Sequence, residues 1–161
     1  MEQKRQYLPT LFERLMDDDP KSHGEPYDSF FFNSQAMRKI VRGDILAILN
    51  NSNIEQQIDA DKYQRVCGSV LNYGVSPMVG EHADAHNWPQ IEKAIRHAIL
   101  RFEPRIIPDS LRVSPVLAKD APSRHGVVVF EIRGLIFWEP YPLDLCFSGA
   151  YDTGMEKISL A

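Results

Sequence analysis

Apolar residues recur at intervals of three and four along the first two-thirds of the chain and at intervals of two along the last third. Leu8, Leu11, Phe12, Leu15 and Met16 carry the helical spacing first, and Pro9 is tolerated in a first turn. Asp17-Asp18-Asp19-Pro20 stops that helix. Three carboxylates at a helix C-terminus oppose the macrodipole, so they belong in solvated loop. Residues 20–33 hold Pro20, Gly24, Pro26, Asp28 and Asn33 and read as an irregular connector, with Phe30-Phe31-Phe32 expected to tuck into a core. Residues 1–33 thus read as a peripheral helix and its tether.

A second helix follows. Ser34 is its expected N-cap, and Met37, Ile40, Val41, Ile45, Ile48 and Leu49 form its apolar stripe. Gly43 lies inside it, at a cost of about 1 kcal/mol relative to alanine. Asn50-Asn51-Ser52-Asn53 ends it. The spacing predicts a third helix over 60–71 with Tyr63, Val66, Cys67, Val70 and Leu71 inward. Asn72-Tyr73-Gly74 then turns the chain, and Pro77 prevents resumption. A fourth helix starts near Asn87, with Pro89 in its first turn and Ile91, Ala94, Ile95, Ala98, Ile99 and Phe102 on one face. Pro104 ends it by pushing Glu103 out of the α region.

Strand patterns fill the remainder. Leu111, Val113 and Val116 make a short strand broken by Pro115, and a proline there places it at a sheet edge. Val127 to Arg133 alternates with Val128, Phe130 and Ile132 on one face, and the strand continues or restarts after Gly134. Glu139-Pro140-Tyr141-Pro142 is a turn. Leu143, Leu145 and Phe147 alternate against Asp144 and Cys146, and a last strand covers 156–160. Four helices followed by consecutive strands predict an α+β fold: N-terminal helices packed on one face of a C-terminal antiparallel β-sheet. A chain of 161 residues suits one domain over 1–161.

Composition sharpens this in three ways. The 43% apolar and 25% charged content suffices for a core without disulfides or structural metal. A net charge of -4, from 18 basic and 22 acidic residues, argues against a nucleic-acid or anionic-membrane partner. Cys67 and Cys146 are far apart and apolar-flanked, and are expected to be buried thiols of a reducing compartment. Met1 to Tyr7 lacks the apolar run of a signal peptide, and no window approaches the ~18 consecutive apolar residues of a membrane span. The expectation is a cytoplasmic protein.

Candidate chemistry is thin. A glycosidase needs two carboxylates across a cleft, one with a raised pKa. Glu103 is the best acid, with Glu92, Asp109 or Asp84 as partner. Arg105 lies two residues on, however, on the same side of an extended segment, where its charge would lower the Glu103 pKa. His82 and His86 stand four apart, but Ala83 fills the position a zinc-protease glutamate would take, and the segment reads as loop. His97 falls on the fourth helix between its apolar and polar faces, and His23 and His125 fall in loops. The aspartates at 17–19 have no calcium-loop spacing. Neither metal nor cofactor is expected, and no enzyme motif stands out. What remains is Phe102-Glu103-Pro104-Arg105, where the helical half meets the strand half. A proline-locked Glu103/Arg105 pair either fixes the angle of that junction through a bidentate ion pair or docks a partner, and the two are compatible.

Several segments together resemble the TssE family of type VI secretion baseplate proteins, homologous to a small wedge subunit of contractile phage baseplates. They are Leu11-Phe12-Glu13-Arg14-Leu15, Asp44-Ile45 through Ile48-Leu49-Asn50, Ser69 through Gly74, and Phe102-Glu103-Pro104-Arg105. Near the end, Phe147 and Asp152-Thr153-Gly154 continue the likeness, about one residue short of the family's spacing. Gly43 departs from the pattern, since the family usually carries arginine before the aspartate. The resemblance implies a non-enzymatic wedge subunit at the cytoplasmic face of the inner membrane. Its partners would be TssF, TssG and TssK, and its strand-bearing part would start the TssB/TssC sheath. It also implies that Glu103, Pro104 and Arg105 are the functional mark. The open edge for a sheath strand is expected at Leu111–Val116 or at the C-terminal strand. The alternatives are a peptidoglycan hydrolase, as the family's older "lysozyme-like" label suggests, and a phage-derived baseplate protein outside type VI secretion.

Overall fold

Asn33, not Ser34, opens the first described helix: its side-chain oxygen accepts the Ala36 amide at 2.8 Å, and Ser34 becomes the first helical residue. The computed structural model describes residues 11, 15, 20, 21, 23, 24, 33–59, 61–76, 88–116, 127–152, 155 and 157–160. Helix α1 (Ser34–Leu49) buries Met37, Val41, Ile45, Ile48 and Leu49, and Ile40 is half-buried at the edge of that stripe. Asn50 ends it, its amide bonding back to the Leu46 and Ile48 carbonyls.

The predicted third helix is cut short. Helix α2 spans only Gln64–Cys67, and a 3₁₀ turn over Val70–Asn72 replaces its second half. Ser69 breaks it, its hydroxyl oxygen accepting the Leu71 amide. The turn rotates Asn72 inward, where it is fully buried, and leaves Val70 and Leu71 78% and 72% exposed. Tyr63 is also exposed, so of the five residues expected inward only Cys67 is buried. Apolar spacing misled here because satisfying one buried amide outweighed covering two aliphatic side chains.

Helix α3 (Trp88–Phe102) follows the sequence pattern closely, burying Trp88, Ile91, Ile95, Ala98 and Ile99. Each of the three isoleucines contributes roughly 1.5–3 kcal/mol on burial. Four strands then form one antiparallel sheet in the order β1-β2-β3-β4: Arg112–Pro115, Val127–Ile136, Leu143–Asp152 and Lys157–Leu160. Strand β2 runs unbroken through Gly134. Phe130, Ile132 and Ile136 of β2 meet Leu143, Leu145, Phe147 and Tyr151 of β3 on the buried face, which the helices cover. The fold is α+β as expected, with helices on one face of a C-terminal antiparallel sheet. β1 and β4 are its edges, and Pro115 lies on β1.

Two expectations change. Leu11 and Leu15 have helical backbone but are exposed, so these members of the first stripe do not pack on the core. Cys67 is buried, but Cys146 is exposed, because it takes an outward position of β3. Phe30 to Phe32, His82, Asp84, His86, His125 and the Asp17 to Asp19 run lie outside the described residues.

Candidate interaction site at the helix–sheet junction

Helix α3 makes its last helical hydrogen bond through the Glu103 amide, which donates to the Ile99 carbonyl at 2.8 Å. Pro104 then turns the chain toward the sheet. The Arg105 carbonyl accepts the Phe137 amide at 2.7 Å, the Ile107 amide donates to the Leu135 carbonyl at 2.8 Å, and Ile106 bridges to Ile136. Residues 105–107 are thus laid along the end of β2 before β1 begins. A 3₁₀ turn over Pro108–Ser110 separates them from β1, and the Ser110 hydroxyl accepts the Leu135 amide at 2.9 Å in place of a backbone partner.

This path turns the Glu103 side chain inward, where it is 1% exposed. A buried carboxylate must be paired, and Arg105 supplies the pair. Its Nε donates to Oε1 at 2.7 Å, its Nη2 to Oε2 at 2.6 Å, and its backbone amide to Oε1 at 3.1 Å. The bidentate pairing is the fork geometry an arginine offers a carboxylate. Nη2 also reaches the Asp44 carboxylate of α1, so three charged groups from two helices and the junction form one network. Burial works to lower the Arg105 pKa, but the hydrogen bonds it donates to Glu103 and Asp44 outweigh it, so the group stays firmly protonated.

Aromatic and amide groups extend the cluster. Tyr73 packs on Phe102 with ring centroids 5.0 Å apart. Burial, then the negative charges of Asp44 and Glu103, raise the Tyr73 pKa, keeping its hydroxyl neutral. Tyr73 is held there by a clamp on either side. The Asn72 side chain accepts the Ile54 amide at 3.0 Å and donates to the Cys67 carbonyl at 3.1 Å. Gly74 adopts φ 115°, and a Cβ there would come within 2.1 Å of the Asn51 carbonyl oxygen, so only glycine fits.

Glu103, Pro104 and Arg105 therefore stand together as the sequence placed them, and the intrachain ion pair forms. Asp44 and Tyr73 were not singled out as site residues, although both lie in segments that carried the resemblance. Asp44 meets Arg105, and Tyr73 meets Phe102, only through the packing of separate segments, which no local pattern encodes. Of the hydrolase pairings, Glu92 with Glu103 finds no geometry. Glu92 lies eleven residues before Glu103, about 16 Å along the helix axis, beyond the 6.5–9.5 Å span of inverting carboxylates. Asp109 sits exposed in the 3₁₀ turn, and Asp84 lies outside the described residues. Among the described residues no three His, Cys, Asp or Glu side chains converge as a metal site. No described helix is long and apolar enough to cross a membrane.

Helices on one face of an antiparallel sheet, with an ion-paired polar cluster joining α1 to the helix–sheet junction, define an α+β domain. The chain belongs to the family described as baseplate wedge protein gp25, whose sequence profile matches residues 35–141. The match spans α1 through the turn before β3 and includes Asp44, Tyr73, Glu103, Pro104 and Arg105. No curated protein and no solved structure gives a significant match. Membership makes this a phage-type baseplate wedge protein, a structural part that assembles with other baseplate proteins.

Proposed function

We propose that the chain is the TssE-type wedge subunit of a type VI secretion baseplate, working with TssF, TssG and TssK at the cytoplasmic face of the inner membrane. In that role its sheet offers the first surface on which the TssB/TssC sheath assembles. The observation that carries the reading is the convergence of Asp44, Tyr73 and Glu103-Pro104-Arg105 at one junction, since these come from three separate segments that resemble the family. Arg105 is 25% exposed, and its Nη1 meets no partner among the described residues, so the guanidinium can serve both the fold and a neighbouring subunit. A catalytic role for Glu103 is disfavoured, because the side chain is buried and both carboxylate oxygens are engaged by Arg105.

The test is sheath assembly in living cells with a labelled sheath subunit, comparing wild type with Glu103→Ala, Arg105→Ala and Asp44→Ala at matched protein levels. Loss of extended sheaths with folded purified variants supports an assembly interface. Normal sheaths reduce the cluster to a fold-stabilising network. A cell-wall turbidity assay on the purified chain is expected to show no clearing.

A further inference from the structure

A groove of about 520 Å³ separates α2 from the C-terminal half of α3. That volume falls within the roughly 300–1,000 Å³ of ordinary ligand sites. Gln64, Cys67 and Gly68 form one wall, and His97, Leu100 and Arg101 form the other. Both triplets follow i, i+3, i+4 spacing, so each wall is one face of a helical turn. Glu55, from the 3₁₀ turn over Glu55–Gln57, completes the lining.

Arg101 is under-paired for its burial. Its side chain is only 17% exposed, yet among the described residues it donates no hydrogen bond. Its acidic neighbour there is Glu55 at 4.0 Å, too far for a hydrogen bond. The guanidinium also lies 5.4 Å from the centre of the Phe102 ring. A guanidinium taken out of water with its fork of N–H donors unmet costs free energy, and a carboxylate in the groove recovers it. The helix dipole accounts for cations near the end of α3, but not for turning this one beside a groove instead of into solvent. Lys93 and His97 precede Arg101 at successive four-residue steps and are exposed, so the face leading to the groove is cationic or neutral. Leu100 and Cys67 add apolar lining.

We infer that this groove receives a short acidic segment of another baseplate protein. An aspartate or glutamate of that segment pairs with Arg101 and displaces Glu55, which holds the place in the free chain. An aliphatic neighbour in the same segment rests against Leu100 and Cys67. The inference rests on the assembly reading above and adds a second contact surface, separate from the Arg105 cluster.

Calorimetric titration of the full-length chain with the purified wedge subunits tests it, using wild type, Arg101→Gln, Glu55→Gln, Gly68→Ala and Gly68→Trp, with the Tm of each variant measured alone. Arg101→Gln is expected to bind roughly 30-fold or more weakly, the loss that follows truncation of one partner in a desolvated charge pair. Glu55→Gln is expected to bind as tightly as wild type or several-fold tighter, because the competing carboxylate is gone. A pair that serves only the fold predicts that both variants weaken alike, and that result overturns the inference. The glycine variants test the groove without touching a charge. A Cβ at Gly68 meets the Gln64 and Arg65 carbonyl oxygens at 3.6 and 3.8 Å, which is ordinary contact, so the backbone accepts a side chain there. Gly68→Trp sets an indole in the groove wall and is expected to abolish binding, while Gly68→Ala retains it. Wild-type affinity in Gly68→Trp overturns the groove, whether or not the Arg101 variant folds. Sedimentation of the isolated chain as a dimer that Arg101→Gln dissolves assigns the groove to a second copy and overturns the acidic partner. Failure of the wild type to bind the wedge subunits overturns the baseplate reading and the inference with it. Binding that no variant alters overturns the groove alone.

Discussion

Arg105→Ala removes the guanidinium while leaving the Glu103 carboxylate in place, 1% exposed. The carboxylate loses two charge-assisted hydrogen bonds, at 2.7 and 2.6 Å, and keeps only the backbone amide at 3.1 Å. Breaking a buried ion pair by deleting one partner costs about 3–5 kcal/mol. Arg105 is 25% exposed, so water reaches its end of the pair, and the expected loss falls to roughly 2–4 kcal/mol. Glu103→Ala is gentler, at about 1–2 kcal/mol, since Arg105 retains Asp44 and solvent. The double variant leaves no buried charge and is expected to be more stable than the sum of the two losses implies, by roughly 1–3 kcal/mol. Urea unfolding followed by the fluorescence of Trp88 and Trp138 measures all four proteins. Additive losses, or an Arg105→Ala midpoint equal to wild type, would refute the claim that Arg105 neutralises a buried carboxylate.

Three further outcomes are expected. Gly43 sits mid-helix, and a Cβ there meets nothing within 4 Å, so Gly43→Ala should raise stability by about 1 kcal/mol in the same urea assay; a loss would mean the position is not ordinary helix. Asn72→Ala strands the Ile54 amide and the Cys67 carbonyl, at a cost of roughly 2–4 kcal/mol, and an unchanged urea midpoint would remove the clamp from the account. On the outer sheet face the Arg133 guanidinium, and then the Cys146 thiol, hold the Glu131 carboxyl below its ordinary pKa. A folded-state pKa that is lowered contributes stability above the unfolded carboxylate value and loses it as pH falls through the folded one. Arg133→Ala should therefore flatten the decline in Tm between neutral and acid pH, and parallel Tm profiles for variant and wild type would count against it.

Periodicity determined the fold class and the unequal faces of β2 and β3, while the prolines at 89, 104 and 115 marked the ends of α3 and the edge position of β1. These are legible because each strand or helix must bury one face, and the burial period is written in the residues. The sequence left open whether Glu103 and Arg105 pair with each other or reach a partner; the structure pairs them across a turn at Pro104-Arg105, closed by the Ile106 amide donating to the Glu103 carbonyl at 3.3 Å, and not along an extended segment. The short α2 was not legible. Its apolar stripe through Val70 and Leu71 has helical spacing, but Asn72 must turn inward to satisfy an amide at Ile54 and a carbonyl at Cys67, and Ile54 lies eighteen positions away. Nor could local pattern place Asp44 beside Arg105, sixty-one positions on, or show that α1 closes the outer edge of β4 through Asn50 and Arg42. Those contacts exist only once α1 has docked on the sheet. A side chain's own sequence fixes which face it takes, and the packing of whole elements decides what it meets there.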